Sequence, residues 1–392
     1  MLARRLFLAA AALAIAATAA CAGETIRVGV IGPFSGPFNL AGKNFKAGVD
    51  TYFALNGSKV GDDSLDVIYR DLPTPDPAKA KSLAQELIVK DKVQYLAGIY
   101  FTPDALAVAP LLEEANVPLV IFNAATSAIT TKSPLVVRTS FTLWQTSATM
   151  AKVAAQRGIK KVVTAVTDYG PGVDAETAFK KTFEAAGGTV VETIRMPLST
   201  NDFNPVMQRI KDAGAPALFA FLPAGPPSLG FAKAFNENGL KQAGVQFLTT
   251  GDVTDESSLP ALGDAALGVL STYHYSIAHD SDANRKFVEA ATKAIGGPDQ
   301  LTFPAVAAYD GMYVITKMVA ATGGKQDAQK AVDAVKGLAW ESPRGPVTLD
   351  PQTRTLDETI YLRIVDKVDG RYINKEIASF PNTPDYGLLQ NK

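Results

Sequence analysis

Short runs of β-branched and apolar residues alternate with segments in which apolar residues recur every three or four positions. This alternation predicts an α/β protein with parallel sheets, because each helix carries the chain back to begin the next parallel strand. The first series predicts strands over 26–31, 65–69, 94–100 and 118–122 and helices over 77–90 and 103–116. We expect these elements to form one parallel sheet covered by helices.

A second series of the same kind begins after Arg138. It predicts strands over 161–167, 189–195, 217–222, 246–250 and 268–273 and helices over 145–157, 173–186, 205–213 and 228–238. The last part, 345–378, alternates as strands do and contains a turn at Asp369-Gly370. The second series therefore predicts a second sheet.

Two similar series imply two similar lobes, each a Rossmann-like α/β unit with a parallel sheet. Two late helices, predicted over 283–295 and 304–321, have no sheet of their own, so we expect them to cover the first sheet. The predicted lobes are 23–140 plus 275–341 and 141–273 plus 348–378. Chain crossings are predicted near 139–143, 272–276 and 342–348, and three crossings form a hinge.

The N-terminal residues have the pattern of an export signal. Arg4 and Arg5 are followed by the segment 6–19, which is apolar except for Thr18 and shorter than the roughly 20 residues that span a bilayer. The small residues at 20–22 then predict cleavage after residue 22. The sequence therefore predicts a signal peptide over 1–22 and a periplasmic protein.

Lipidation at Cys21 is the alternative to cleavage at this site. Three residues before it stands Thr18, where the lipidation machinery usually requires a large aliphatic residue. Cys21 is also the single cysteine of the chain, so cleavage after Ala22 leaves a mature protein without a disulfide.

The charges are balanced, with 38 Lys and Arg against 39 Asp and Glu, and no basic run after the signal exceeds two residues. This predicts no nucleic-acid partner, since such partners require a basic surface. The predicted mature chain has 392 − 22 = 370 residues, enough for two cores, because single cores stop growing at about 250 to 300 residues.

The segment 170–175 fits the nucleotide-binding pattern G-x-G-x-x-A, and Glu192 lies near the spacing of a ribose-binding acid. However, Asp168 and Tyr169 precede the first glycine, Pro171 stiffens the loop, and an exported chain meets little NAD. We therefore do not predict a dehydrogenase.

Hydrolytic and metal chemistry have still less support. Ser35 does not lie in a G-x-S-x-G motif, and the two histidines, His274 and His279, form no recognisable triad. There is no H-E-x-x-H motif and no His/Cys set with zinc-ligand spacing. We predict neither an enzyme nor a cofactor or metal site.

Several short motifs occur in a defined order over nearly the whole mature chain. They are Ile26-Arg27-Val28-Gly29-Val30 followed by Gly36-Pro37, Val117-Pro118 with Ala124-Ala125-Thr126-Ser127, Arg138-Thr139, Asp168-Tyr169-Gly170-Pro171-Gly172, Asp202-Phe203 and Ala308-Tyr309-Asp310. None is specific alone, but their order and spacing together resemble the type I periplasmic solute-binding proteins of ABC importers, specifically the leucine/isoleucine/valine-binding family.

This resemblance implies a ligand carboxylate bound by the first lobe. Thr102 stands where the family offers a hydroxyl, and Ala124, Ala125 and Thr126 stand where it offers N–H groups and a second hydroxyl. Both loops follow strand ends, where α/β sheets bind ligands. A role for Thr102 as a helix cap is the structural alternative.

From the second lobe, the resemblance implies that Tyr169 forms a wall or donates a hydroxyl. It also implies that Asp252, after the strand at 246–250, meets the ammonium group of an amino acid. The alternative for Asp252 is a loop or capping acid that faces water.

Three positions depart from the family pattern. The family's aromatic residues fall near Ala41 and Ala224, and Leu143-Trp144 replaces the usual acid after Arg-Thr. The pocket is therefore expected to be wider, with Trp144 either stacking on an aromatic ligand or packing at the hinge.

The resemblance implies a monomer that closes on a small carboxylate and delivers it to an inner-membrane ABC permease. Branched-chain or related amino acids are the family's usual ligands, and an aromatic carboxylic acid is the alternative. An exported ligand-sensing domain is a further alternative, because it would use the same fold.

Overall fold

The computed structural model describes residues 23–389, so the predicted signal peptide lies outside the described residues. Over this range the chain forms two α/β lobes, each built on its own sheet. This confirms the predicted fold class. Among the helices of residues 23–389, none is both long and apolar enough to cross a membrane.

The first lobe contains six strands. They are β1 (Thr25–Gly32), β2 (Lys59–Val60), β3 (Asp63–Asp71), β4 (Tyr95–Gly98), β5 (Leu119–Ile121) and β6 (Val136–Arg138). Their order is β2-β3-β1-β4-β5-β6, and every neighbouring pair is parallel except β2 with β3. The sequence pattern did not predict β2 and β6, because two or three residues are too few to show a period.

The helices that follow these strands are α1 (Asn39–Asn56), α2 (Pro77–Val89), α3 (Thr102–Val108) and α4 (Leu112–Ala115). Helix α2 begins where the sequence predicts, because the Asp76 side chain accepts a hydrogen bond from the Lys79 amide and Pro77 occupies the first turn.

The second lobe contains nine strands. They are β7 (Lys161–Thr167), β8 (Thr189–Met196), β9 (Ala217–Phe221), β10 (Gln246–Thr250), β11 (Leu270–Tyr273), β12 (Ala339–Ser342), β13 (Gly345–Leu349), β14 (Leu356–Val368) and β15 (Arg371–Thr383). Their order is β12-β13-β14-β11-β10-β9-β7-β8, with β15 also paired to β14. Within the group β7 to β11, every pair of neighbouring strands is parallel. Strands β12 to β15 form an antiparallel extension of this sheet. The predicted turn at Asp369-Gly370 is confirmed, since both residues have positive φ between β14 and β15.

The helices of the second lobe are α5 (Leu143–Gln156), α6 (Gly170–Ala185), α7 (Asn204–Asp212), α8 (Pro226–Glu237) and α9 (Leu259–Leu262). A capping box begins α5, because Thr142 and Gln145 each bond the backbone of the other. The Gln145 amide also donates to the carbonyls of Leu356 and Thr383 at 2.8 Å. This buried network anchors the start of α5 to the antiparallel extension.

The remaining helices are α10 (Asp282–Ile295), α11 (Phe303–Thr322), α12 (Ala328–Asp333) and α13 (Tyr386–Leu389). Helix α11 lies along α1 of the first lobe, where the Tyr52 and Thr316 hydroxyls are 2.9 Å apart. Met312 and Ile315 of α11 are fully buried in the core of the first lobe. The chain thus returns to the first lobe after forming most of the second.

The third chain crossing corrects the prediction. Residues 339–342, which the sequence pattern assigns to the first lobe, form β12 and pair with β13 in the second sheet. A two-residue turn at Pro343-Arg344 joins these strands as a hairpin. The chain therefore enters the second sheet at Ala339, and 342–348 is part of a hairpin within that sheet.

The turn of this hairpin carries a buried arginine that connects the lobes. The Arg344 guanidinium lies 2.8 Å from Asp310 of α11 and 3.1 Å from Glu358 of β14, and all three side chains are fully buried. It also donates to the Thr139 carbonyl at 2.9 Å, in the first crossing. One side chain therefore bonds the first lobe, the second sheet and the hinge.

Candidate ligand-binding site

A cavity lies between the lobes, next to loops that follow β4, β5, β7, β9 and β10. It contains about 290 Å³ of space free of protein atoms, part of it open to solvent. Its lining residues are Tyr100, Phe101, Asn123, Ala125, Phe141, Leu143, Tyr169, Pro171, Phe221, Pro223 and Asp252. Since carboxyl ends of parallel strands are the usual ligand site of α/β sheets, this cavity is the candidate binding site.

A sharp turn after β4 brings two aromatic rings to the cavity. Gly98 has φ +95°, and a Cβ there would lie 2.4 Å from the Ile31 carbonyl oxygen, so the position requires glycine. Ile99 follows with φ +59°, which is strained for a β-branched residue. Beyond the turn, the Tyr100 and Phe101 rings pack edge to face with centroids 4.8 Å apart.

The loop after β5 supplies hydrogen-bond donors. Ala125 and Thr126 lie outside helices and strands, and among the described residues their amides donate to no backbone carbonyl. Behind them, the fully buried Arg138 guanidinium donates to the Thr126 carbonyl at 2.6 Å. Free N–H groups in front of a buried cation favour a bound anion at this wall.

Thr102 and Thr126 do not line the cavity. Both are buried, and their hydroxyl oxygens are 3.0 Å apart in a mutual hydrogen bond. Thr102 is the first residue of α3 and makes no cap, since Phe101 holds the N-cap position. A Cβ at Gly170 of the second lobe would lie 2.8 Å from the Thr126 hydroxyl oxygen. The two threonines therefore lie where the lobes touch, and Ala124 beside them is buried in the first-lobe core.

The second lobe contributes an aromatic wall and an acid. Tyr169 stacks on Phe221, with ring centroids 6.2 Å apart and planes 19° apart. Asp252 follows β10 and is 5% exposed. Its carboxylate accepts hydrogen bonds from the Thr250 hydroxyl at 2.9 Å and from the Tyr273 hydroxyl at 3.3 Å.

Burial raises the pKa of Asp252 to about 7, although these hydrogen bonds and the nearby Arg363 charge oppose the shift. Neutral and ionised forms of this carboxyl therefore coexist near neutral pH. Above pH 7 the ionised carboxylate of Asp252 predominates. It can accept a hydrogen bond from a ligand or pair with an ammonium group.

Trp144 is not among the described residues that line the cavity. Its side chain packs with Ala148, Ala178 and Tyr386 between α5, α6 and the C-terminal helix α13. The indole also opposes the rise in the pKa of Asp174, at the start of α6, that burial causes. This position is therefore one of packing near the hinge, the second of the two roles expected for Trp144.

Of the seven residues predicted to bind ligand, Ala125, Tyr169 and Asp252 line the cavity. The sequence analysis missed four aromatic residues of the lining: Tyr100, Phe101, Phe141 and Phe221. Tyr100 ends a predicted strand and Phe101 follows it directly, which is a usable signal. Phe221 ends a strand and Phe141 lies in a crossing, and an aromatic residue in either context is ordinarily core.

Two parallel-sheet lobes that jointly enclose a polar-ended, aromatic-lined cavity define a protein that closes on a small ligand. The chain belongs to the periplasmic binding protein family, whose model matches residues 25–370. This match confirms the resemblance found in the sequence. It also confirms the predicted class of protein, a solute-binding protein of the ABC-transporter type.

The names of similar proteins mention two kinds of ligand, branched-chain amino acids and hydroxylated benzoates. The chain is 64% identical over 381 residues to a protein of Brucella melitensis called Leu/Ile/Val-binding protein homolog 6, covering 97% of each chain. It is 59% identical to a solute-binding protein of an R. palustris ABC transporter solved with 4-hydroxybenzoate, with a TM-score of 0.92 over 93% of this chain and 100% of that one. A solute-binding protein of Rhodopseudomonas palustris BisB5, solved with 3,4-dihydroxybenzoic acid, is 45% identical with a TM-score of 0.88 over 93% of this chain and 99% of that one.

Proposed function

We propose that this protein binds a hydroxylated benzoate between its lobes and delivers it to an inner-membrane ABC permease. The observation that carries the proposal is the cavity lining: aromatic rings from both lobes, with the Ala125 amide at one wall and the carboxyl of Asp252 at another. The 4-hydroxybenzoate and 3,4-dihydroxybenzoic acid of the two R. palustris proteins support the same ligand class.

The carboxylate of the ligand would accept a hydrogen bond from the amide of Ala125, which lines the cavity. Arg138 lies behind this segment and adds positive charge where the carboxylate is held. In this arrangement the threonine hydroxyls support the loop and the lobe contact, and the backbone makes the direct contacts.

The ring of the ligand would lie among aromatic side chains. Tyr100 and Phe101 come from the first lobe, Tyr169 and Phe221 from the second, and Phe141 from the crossing between them. Offset-stacked and edge-to-face contacts favour a planar aromatic ligand over a branched aliphatic one by about 0.5–1.5 kcal/mol per ring pair.

The ring hydroxyl of the ligand would donate to Asp252. Its carboxylate already accepts from Thr250 and Tyr273, so a phenol completes a set of donors around one buried acid. A phenol is suited to this acceptor, because it brings a proton without bringing a charge into the cavity.

A branched-chain or related amino acid is the second candidate. It is supported by the name of the Brucella melitensis relative and by Asp252, which would then pair with the ligand ammonium. This candidate differs in requiring an ionised Asp252, since a buried unpaired ammonium is costly.

We further infer that the protein acts in the periplasm, as a monomer and without chemical turnover, as befits a solute carrier.

A sensing role would use the same cavity. Uptake of radiolabelled 4-hydroxybenzoate by cells with and without the protein distinguishes transport from sensing.

Thermal unfolding of the purified mature protein tests the ligand class. Benzoate, 4-hydroxybenzoate and 3,4-dihydroxybenzoate are compared with leucine, isoleucine and valine, each at equal concentration. A ligand present at one hundred times its Kd stabilises the fold by about 2.7 kcal/mol. We expect the hydroxybenzoates to give the largest shifts. A larger shift with any of the aliphatic amino acids would instead establish the second candidate.

A further inference from the structure

A second cavity lies on the other side of Tyr100 from the first. It contains about 310 Å³ of space, part of it open to solvent. Both lobes line it, through Phe38, Ala41, Ala224, Gly225, Asp255 and Phe303. Tyr100 lines both cavities, and its hydroxyl donates to the Ala224 carbonyl at 3.4 Å. This second compartment is therefore a continuation of the cleft, separated from the first cavity by the side chain of Tyr100.

The walls of the second compartment are mostly apolar, with polar groups at Tyr100, Asp255, Ser257 and Thr302. Phe38 packs edge to face on Phe101 with centroids 4.9 Å apart, and its ring also reaches Gly225 of the other lobe. Ala41 and Ala224 leave open the space that larger residues would fill. The compartment can thus take the carbon chain of a ligand.

Asp255 is left with an unused oxygen. The residue is 3% exposed, and its Oδ1 accepts hydrogen bonds from the Ser257 amide and hydroxyl. Its Oδ2 is buried and has no hydrogen-bond partner within residues 23–389. A buried acceptor without a donor is unfavourable, so a donor brought by a ligand would relieve a cost already present.

The charges around Asp255 favour a donor over an anion. Burial and the neighbouring carboxylates of Glu256 and Asp252 raise the pKa of Asp255 to about 7. The Arg363 guanidinium nearby lies 3.5 Å from Glu256 and also acts on Asp252. Glu256 and Asp252 thus share one cation, and with Asp255 beside them a further positive charge would be stabilised here.

We propose that this second compartment binds the end of a short side chain on an aromatic acid, terminating in an ammonium or hydroxyl group that donates to Asp255 Oδ2. The inference rests on the proposed function, because the first cavity has to hold the benzoate ring. It extends the ligand range to para-substituted benzoates that end in a donor. Tyr100 has to move to admit the side chain, which breaks its single long bond to Ala224.

Two ligands of nearly equal size test this proposal. Binding of 4-(2-aminoethyl)benzoate and 4-propylbenzoate is measured by titration calorimetry at pH 8, together with 4-hydroxybenzoate. A hydrogen bond to a charged acceptor is strong enough that the parent protein is expected to bind the amine at least about tenfold more tightly than the propyl compound.

Variants then assign the preference to this compartment. Asp255→Asn is expected to reduce the preference for the amine over the propyl compound to about threefold or less. Ala224→Leu, which fills the compartment from another wall, is expected to remove this preference as well. Asp212→Asn, an exposed acid on α7 of the same lobe, is the matched control and should retain the full preference. Circular dichroism verifies that each variant is folded.

The outcomes separate the two proposals. If 4-hydroxybenzoate binds but the parent does not prefer the amine, or if Asp255→Asn keeps the preference, the second compartment is refuted while the proposed function stands. If neither 4-hydroxybenzoate nor the two probes bind the parent, the proposed function fails and this inference fails with it.

Discussion

Replacing Arg344 with methionine is expected to lower the free energy of unfolding by about 3–5 kcal/mol. The substitution removes the cation that lies 2.8 Å from Asp310 and 3.1 Å from Glu358, and both acids stay fully buried. Asp310 must then take up a proton to remain in the core, as must the ionised fraction of Glu358, whose pKa burial already raises to about 8. The loss is therefore expected to grow as pH rises, because proton uptake becomes more costly. Urea unfolding followed by circular dichroism at pH 5.5 and pH 8 measures both effects.

Arg285→Met is the matched control for this prediction. Arg285 also pairs with two acids, Asp280 and Asp282, but its side chain is 60% exposed. Exposed pairs contribute little, so we expect a change within about 1 kcal/mol. The account of the hinge is wrong if Arg344→Met proves as mild as this control.

Replacing Gly170 with leucine is expected to weaken ligand binding roughly 5- to 150-fold. The Cβ alone would lie 2.8 Å from the Thr126 hydroxyl oxygen and 3.2 Å from the Thr102 methyl carbon, both on the opposite lobe. Overpacking a contact costs about 1–3 kcal/mol, and here the cost falls only on the state with the lobes together. The unliganded protein can relieve it by opening, so its stability should change little.

Calorimetry with 4-hydroxybenzoate and thermal unfolding without ligand measure these two quantities. Lys180→Leu, on an exposed position of the same helix, controls for adding a leucine to α6. Undiminished affinity in Gly170→Leu would show that binding does not require the lobes to meet at the two threonines.

The α/β fold was predictable because its signals are local. Strands such as β1 and β7 are β-branched runs, and helices such as α2 carry their own caps. Strand β12 was missed because its four residues are too few to show a period and it is defined by pairing with β13. Register and pairing depend on distant residues, which a local pattern does not contain.

The site was predictable in part for the same reason. Asp252 and Tyr169 follow strand ends, and strand ends of a parallel sheet lie at one edge. The sequence left two roles open for Trp144, because its surroundings include Tyr386 of α13, far away in the sequence. The small residues Ala41 and Ala224 were expected to widen the pocket, and both line the second compartment.

The central claim is that a hydroxybenzoate lies in the first cavity with its ring hydroxyl on Asp252. Calorimetric titration of benzoate and 4-hydroxybenzoate at pH 8, on the parent and on Asp252→Leu, tests it most directly. Leucine has a similar shape but no acceptor oxygen, and any general effect of the substitution cancels in the ratio of the two affinities.

In the parent, we expect 4-hydroxybenzoate to bind at least about tenfold more tightly than benzoate, through a hydrogen bond to a charged acceptor. In Asp252→Leu, the ratio should fall to about one or below, because the ligand hydroxyl then loses its partner. An unchanged ratio of the two affinities in Asp252→Leu would contradict this placement of the ligand. Tighter binding of the free amino acid leucine than of 4-hydroxybenzoate to the parent would contradict it as well.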